Sequence, residues 1–294
     1  MDTALKDVLD WLDARKPSTR PAADDAEWLA AFRAQTALIG QLSGEPIPLH
    51  AVDHRIVGGT PVRFYRAAAG DRPVVLHLHG GGAIAGSLDG HDPALRLLAA
   101  RTGWTVAAPA YRLAPEARFP AQLDDALAVL SAIEAPVIVV SGDSIGATLA
   151  TSLAHAAPGR LAGQVLFYPN TDLRRGASYP SRRSEDGIII DATSLERQID
   201  LYLADPAQRN SPKASPIIND DLASMPPTFV ATAAHDPLRD EGEDYVARLR
   251  GAGVSVEHHR AAGAPHAFLQ MAARLPAAAQ MLDRLRAWLG ALPR

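Results

Sequence analysis

Ser144 stands between two glycines in the run Gly142-Asp143-Ser144-Ile145-Gly146, with an apolar stretch at 135–140 before it and Ala147-Thr148-Leu149-Ala150 after it. A β-branched strand that turns sharply into a helix at Gly-x-Ser-x-Gly is the pattern that displays a nucleophilic hydroxyl. The residue types follow from the geometry. A tight turn crowds neighbouring backbones, so Gly142 and Gly146 avoid Cβ clashes while the hydroxyl points outward. The helix N-terminus behind the serine offers unpaired N–H groups and a positive dipole end to a developing oxyanion.

A serine hydroxyl is a weak nucleophile and needs a base beside it. Where it sits on such a turn, the acid and then the base follow it along the chain. His266, in Ala262-Gly263-Ala264-Pro265-His266-Ala267-Phe268, comes just after the last strand expected from the sequence. Asp236, in His235-Asp236-Pro237-Leu238-Arg239-Asp240, comes just after the preceding one. Sites of this architecture lie outside the carboxyl ends of strands, so the three side chains are expected at one edge. Ser144, Asp236 and His266 are thus the expected nucleophile, acid and base. Asp240 is the rival acid, one turn on, where capping a helix accounts for it. His235, His258 and His259 read as packed or solvated, and His155 lies a helix beyond the serine.

The run His79-Gly80-Gly81-Gly82 also follows a strand. Glycines let backbone N–H groups face a cavity unobstructed, and a loop of this kind supplies oxyanion donors together with the amide after the nucleophile. Gly80, Gly81 and Ile145 are the expected donors. Ala83, Ile84, Ile145, Leu238 and Phe268 flank these positions and are expected pocket residues, with Trp28 and Phe32 reaching in from an N-terminal helix.

These groups need a scaffold. The chain has 294 residues, 47% apolar and 21% charged, enough for a sizeable core, and a net charge of −4 with no long basic run. Nucleic acid is therefore not an expected partner. The absence of cysteine excludes disulfides, thiolate nucleophiles and cysteine-based metal sites. The N-terminus is acidic and amphipathic, with Asp2, Asp7, Asp10 and Asp13 on its polar face, and shows no signal-peptide pattern. No apolar run is long enough to span a bilayer. A cytoplasmic location without membrane insertion is the expectation.

Residues 1–45 read as helical, from Leu5, Leu9 and Leu12 and then Trp28, Leu29, Phe32 and Leu38 at helical spacing. Beyond about residue 52, strands and helices alternate. Strands are expected at 54–57, 62–66, 74–79, 104–108, 163–169, 228–232 and 254–258, and helices at 121–132, 241–250 and 276–292. That alternation predicts an α/β fold, a mostly parallel sheet with helices on both faces. Residues 172–215, rich in Arg and Pro, interrupt the rhythm. The expected organisation is therefore a helical cap segment at 1–45, core at 46–171, a cap insert at 172–215 and core again at 216–294.

Taken together, HGGG at 79–82, Gly86-Ser87-Leu88-Asp89, Tyr111-Arg112-Leu113-Ala114-Pro115-Glu116, Phe119-Pro120-Ala121, Gly142-Asp143-Ser144-Ile145-Gly146, Tyr168-Pro169 and Asp236 to Gly242 resemble the bacterial hormone-sensitive-lipase-like esterases of the α/β-hydrolase superfamily. The resemblance spans about 73–270. It implies a carboxylester hydrolase with a Ser144–His266–Asp236 triad, no cofactor and no metal, and a cap made of the N-terminal helices and the insert. It also implies short- to medium-chain acyl esters as substrates and a homodimer through the last strand. Amide hydrolysis, deacetylation and lactone opening use the same triad, and a receptor that has lost catalysis is the alternative of another class. Arg112 and Glu116 are expected to pair as a wall of the site. Three positions depart from the family pattern: Ala83 where an aromatic is frequent, Ile145 where a small residue is frequent, and Ala267 where glycine is usual. All three bear on pocket shape and leave backbone donation intact.

Overall fold

The computed structural model describes residues 3–15, 24–70 and 72–292. Asp2 and the stretch 16–23 of the expected N-terminal segment lie outside the described residues. An eight-stranded sheet runs in the order β1-β2-β4-β3-β5-β6-β7-β8. The strands are β1 (Ala51–Val57), β2 (Thr60–Arg66), β3 (Val74–Leu78), β4 (Thr105–Pro109), β5 (Ile138–Asp143), β6 (Gly163–Phe167), β7 (Thr228–His235) and β8 (Val256–Pro265). β1–β2 and β2–β4 pair antiparallel, and the other five pairings are parallel. β8 is an edge, paired with β7 alone.

Side-chain alternation explains why both faces are covered. Successive strand residues point to opposite sides, and in the central strands both sets are apolar, as buried parallel sheets require. Val75, Val139, Val165 and Phe229 pack on one face with α3 (Leu88–Thr102) and α9 (Pro276–Ala291). Leu76, Val140, Leu166 and Val230 pack on the other with α4 (Ala121–Ala132), α5 (Ile145–Ala156) and α8 (Arg239–Gly251). The α4 bounds coincide with the sequence reading. The sequence gives no helix signal at α3, because Gly90, Asp92 and Pro93 dilute its apolar period.

The N-terminal segment splits into two roles. α1 (Thr3–Asp13) buries Leu5, Val8 and Leu12 against the core, and Val8 and Leu12 join the α3–α9 cluster. α2 (Asp25–Gly40), capped by Asp24, lies over the carboxyl end of the sheet. The insert supplies α6 (Pro180–Ser184) and α7 (Ala192–Tyr202). No helix among the described residues is long and apolar enough to cross a membrane.

A buried carboxylate helps to fasten the base of the insert. Glu241, fully buried in α8, accepts the N–H groups of Thr171 at 2.8 Å and Asp172 at 3.2 Å, and meets Arg182 of α6 at 2.5 Å. Glu241→Ala leaves the half-buried Arg182 without that partner. Removing one member of such a pair costs about 3–5 kcal/mol. A loss of that size is expected in urea unfolding, and a loss below about 1 kcal/mol would show that the carboxylate does not hold the insert.

Candidate active site

The three expected catalytic residues each follow directly on a parallel strand: Ser144 after β5, Asp236 after β7, His266 after β8. β5, β7 and β8 lie on the same side of β3 in the sheet, so residues far apart in sequence meet at one edge. Ser144 Oγ lies 3.0 Å from His266 Nε2, and His266 Nδ1 lies 2.8 Å from Asp236 Oδ2. With Nδ1 facing a carboxylate, that nitrogen carries the proton and Nε2 accepts from the Ser144 hydroxyl. Asp236 is fully buried, and its second oxygen accepts the Leu238 N–H at 2.8 Å. The imidazole is braced from the side by Tyr168, edge-on at 4.9 Å between centroids, itself backed by Phe268 at 5.2 Å.

The turn at Ser144 is strained as the glycine pattern requires. Ser144 has φ 56° and ψ −123°, one of four described non-glycine residues with positive φ. Such a conformation costs of order 1–3 kcal/mol and persists only where the surroundings impose it. Its N–H is held by the Phe167 carbonyl at 2.9 Å, and a Cβ on Gly142 would collide with the Gly146 carbonyl. Ala83 and Ala267, two of the family departures, are also left-handed, with φ 60° and 63°.

The glycine loop corrects one expectation. The Gly80 N–H is donated to Asp143 Oδ1 at 2.8 Å, so it is not free for an oxyanion. Among the described residues, the N–H groups of Gly81, Gly82 and Ile145 have no protein acceptor, and Gly81 and Gly82 line the cavity with Ser144. The amides left free to receive an acceptor at this site are therefore those of Gly81, Gly82 and Ile145. The run of glycines marked the loop; it held no sign of which amide a neighbouring strand would take.

Beneath this loop lies a buried polar cluster that the sequence reading did not single out. His77, His79, His91 and Asp143 are all buried. His79 stacks on Tyr111, its centroid 4.4 Å away, and its Nδ1 lies 2.7 Å from the Gly80 carbonyl. Burial and the neighbouring His91 push the His79 imidazole down to about 3, so it is neutral and Nδ1–H donates. Burial alone would raise the Asp143 carboxyl, but His91 and the hydrogen bond from His77 outweigh it and hold it well below the usual carboxylate range. Burial, with Asp143 adding to it, raises the phenols of Tyr111 and Tyr168 well above their ordinary value, so both remain donors.

A cavity of about 80 Å³ opens over Ser144 and His266. Its roof comes from α2, through Phe32, Gln35, Thr36 and Ile39, and from the insert, through Ile189, Ile190, Asp191, Ser194 and Gln198. Gln270 closes one wall. Of the expected pocket residues only Phe32 lines it. Ala83, Ile84, Ile145 and Leu238 are buried in an apolar cluster with Leu29, Phe119, Leu195 and Ile199 that joins cap to core. The reason is local: the chain folds back after Gly81, with the N–H groups of Ile84 and Ala85 on the Gly81 carbonyl, turning residues 83 and 84 away. Trp28 stacks behind Phe32 at 5.1 Å and carries Arg197 on its ring. Phe268 packs edge-on against Tyr168, which in turn flanks the imidazole. Apart from Phe32, the cap residues that line the cavity have no periodic or motif signal in the sequence.

Two further expectations change. Arg112 pairs with Asp125 at 2.7 Å, whereas Glu116 receives Arg33 of α2 at 2.7 Å. Arg33 also donates to the carbonyls of Ile84 and Ala114, tying the cap helix to the loop beyond the glycines. Asp240 does not cap its own helix; its carboxylate accepts the Ser181 N–H at 2.8 Å at the start of α6. His235 pairs with Glu185, and His155 lies beside Asn219, both remote from Ser144 Oγ in their bonding.

The comparisons with known proteins bear on this arrangement. A profile of the alpha/beta hydrolase fold matches residues 75–270. An ethyl acetate hydrolase of Pseudomonas putida is 37% identical over 270 residues, 85% of this chain and 84% of its own. A carboxylesterase of Mycobacterium tuberculosis is 34% identical over 97% of this chain and 93% of its own. Among solved structures, a hyperthermophilic esterase from the archaeon Pyrobaculum calidifontis superposes with a TM-score of 0.86 at 32% identity, covering 98% of this chain and 97% of that one.

Proposed function

This chain belongs to the hormone-sensitive-lipase-like esterases of the α/β-hydrolase superfamily and is a carboxylester hydrolase, and from that premise we propose that it cleaves short-chain acyl esters through an acyl-enzyme on Ser144. The observation that carries the reading is the unbroken line from Ser144 Oγ through His266 to Asp236, at 3.0 and 2.8 Å, opening beneath three unpaired amides.

The steps follow from the geometry. His266 Nε2 takes the hydroxyl proton as Ser144 Oγ attacks the ester carbonyl carbon. The carbonyl oxygen becomes an oxyanion that receives the N–H groups of Gly81, Gly82 and Ile145. Asp236 stabilises the imidazolium and keeps its Nδ1–H in place. The Nε2 proton then passes to the leaving alkoxide, the C–O bond breaks, and the acyl group remains on Ser144. Water, deprotonated by His266, attacks the acyl carbon and releases the acid and the serine. A cavity of about 80 Å³ is far below the ~300–1,000 Å³ of drug-sized sites, which favours small acyl groups.

A fluorophosphonate probe tests the site directly. One label per chain is expected, on the peptide containing Ser144, and faster turnover of acetate and propionate than of longer esters in a p-nitrophenyl series. Absence of labelling, or labelling at another serine, would overturn the assignment. A profile that rises steadily toward long chains would overturn the short-chain reading alone.

A further inference from the structure

Gly80 is held at both of its hydrogen-bonding groups. Its N–H goes to Asp143 Oδ1 at 2.8 Å, and its carbonyl accepts from His79 Nδ1 at 2.7 Å. The peptide unit is planar and trans, so fixing the Gly80 carbonyl fixes the opposite direction of the Gly81 N–H. The Gly81 carbonyl in turn accepts from Ala85 N–H at 2.9 Å, which fixes the Gly82 N–H in the same way. The first link in this series is the bond to Asp143, the residue immediately before the nucleophile.

Asp143 has no part in the proton transfers, yet it is buried, and a buried carboxylate costs several kcal/mol unless its lone pairs are matched. They are matched by converging donors. His77 Nε2 lies 3.2 Å from Oδ1, with Nδ1 turned to the Ser141 hydroxyl at 3.1 Å, and the Tyr168 hydroxyl lies 3.4 Å from Oδ2. His91 stands 3.6 Å away, its own Nε2 beside the Gln270 amide at 2.7 Å. A Cβ on Gly80 would run into the Asp143 carboxylate, so the contact requires glycine there as well.

We propose that Asp143 is a positioning residue for ester hydrolysis: its carboxylate, held by His77 and Tyr168, anchors the Gly80 amide to the nucleophile strand and thereby aims the Gly81 and Gly82 amides at the oxyanion. The inference rests on the acyl-enzyme reading above. Its consequence is selective. Loss of the anchor weakens what the transition state gains and leaves ground-state binding nearly as it was.

The test compares Asp143→Ala, which removes the acceptor, with Asp143→Asn, which keeps an oxygen able to face Gly80. For Asp143→Ala, kcat is expected to fall by about 100-fold, the scale of losing or misplacing one oxyanion donor, with KM within about threefold. Asp143→Asn is expected to recover about a tenth to a half of the activity. The affinity for a trifluoromethyl ketone, which forms a tetrahedral adduct with an oxyanion, should weaken in step with kcat/KM. Its non-fluorinated isostere should bind unchanged. A folded Asp143→Ala enzyme with kcat and ketone affinity within threefold of the parent overturns the proposal, as does a loss confined to KM. Should Asp143→Ala fail to fold, His77→Leu removes one donor from the carboxylate and is expected to weaken the trifluoromethyl ketone several-fold; unchanged binding there overturns the proposal too. Ser144→Ala in the same assay separates the claims. If it stays active, the acyl-enzyme reading falls; if it is inactive while the Asp143 variants are unimpaired, only the role of Asp143 falls.

Discussion

Ser144→Ala is expected to lower kcat for a short-chain ester by about 10⁴- to 10⁶-fold, with urea stability changed by less than about 1 kcal/mol. The size follows from what is lost. Without Oγ no covalent bond to the acyl carbon forms, and water would have to attack from a position the turn does not prepare. What persists is the contribution of the amides and of substrate binding, the residual catalysis that survives when a nucleophile is deleted. The stability side is as specific. Ser144 is held by its backbone, through the Phe167 carbonyl on its N–H and the Asn170 N–H on its own carbonyl, and the residue is only partly buried. Alanine at φ 56° bears the same left-handed strain that serine already bears. A variant that loses activity because it no longer folds would show both changes together.

Asp236→Asn should be nearly as damaging, with a loss of about 10⁴-fold in kcat and little change in KM. Two contacts set this expectation. Oδ1 accepts the Leu238 N–H, which demands an oxygen there, so the new amide nitrogen is forced onto the Oδ2 side, facing His266 Nδ1. That NH₂ is a donor. It turns Nδ1 into the acceptor, moves the ring proton to Nε2, and points it at the Ser144 hydroxyl, the reverse of what a base needs. Asparagine keeps the shape of the site and reverses its polarity. A loss below about tenfold would mean that the carboxylate does not set the imidazole tautomer.

The fold and the chemical positions were legible to different depths, for physical reasons. Apolar alternation located each strand of the sheet, but the sequence reading stops β5 at 140, β7 at 232 and β8 at 258, short of their ends at Asp143, His235 and Pro265. Ser141, Gly142 and Arg260 break the apolar pattern, and parallel pairing with the neighbouring strand supplies what their side chains lack; Gly263 falls at the register shift near the end of β8. The extra residues matter, because they carry the strands up to Ser144, Asp236 and His266. The pocket was legible least. Neighbours of catalytic residues in sequence were expected to line it, whereas a turn of helix or a reversed loop sends Ile145, Ala83 and Ile84 into the apolar seam under the cap. The actual lining comes from the cap helices, whose register over the sheet depends on contacts such as Arg33 with Glu116 that join residues 83 apart. Gly80 illustrates the same limit within a motif. Its residue type is legible from the motif but the direction of its amide is not, because Asp143 claims that N–H from another strand.

The most direct check is to catch the covalent intermediate. Rapid acid quenching during turnover of p-nitrophenyl acetate, followed by peptide mass analysis, should find an acetyl group on the peptide carrying Ser144, formed in a burst no faster than nitrophenolate release and absent from Ser144→Ala. Turnover at full rate with no acyl group on Ser144 at any quench time, and undiminished activity in that variant, would contradict the account.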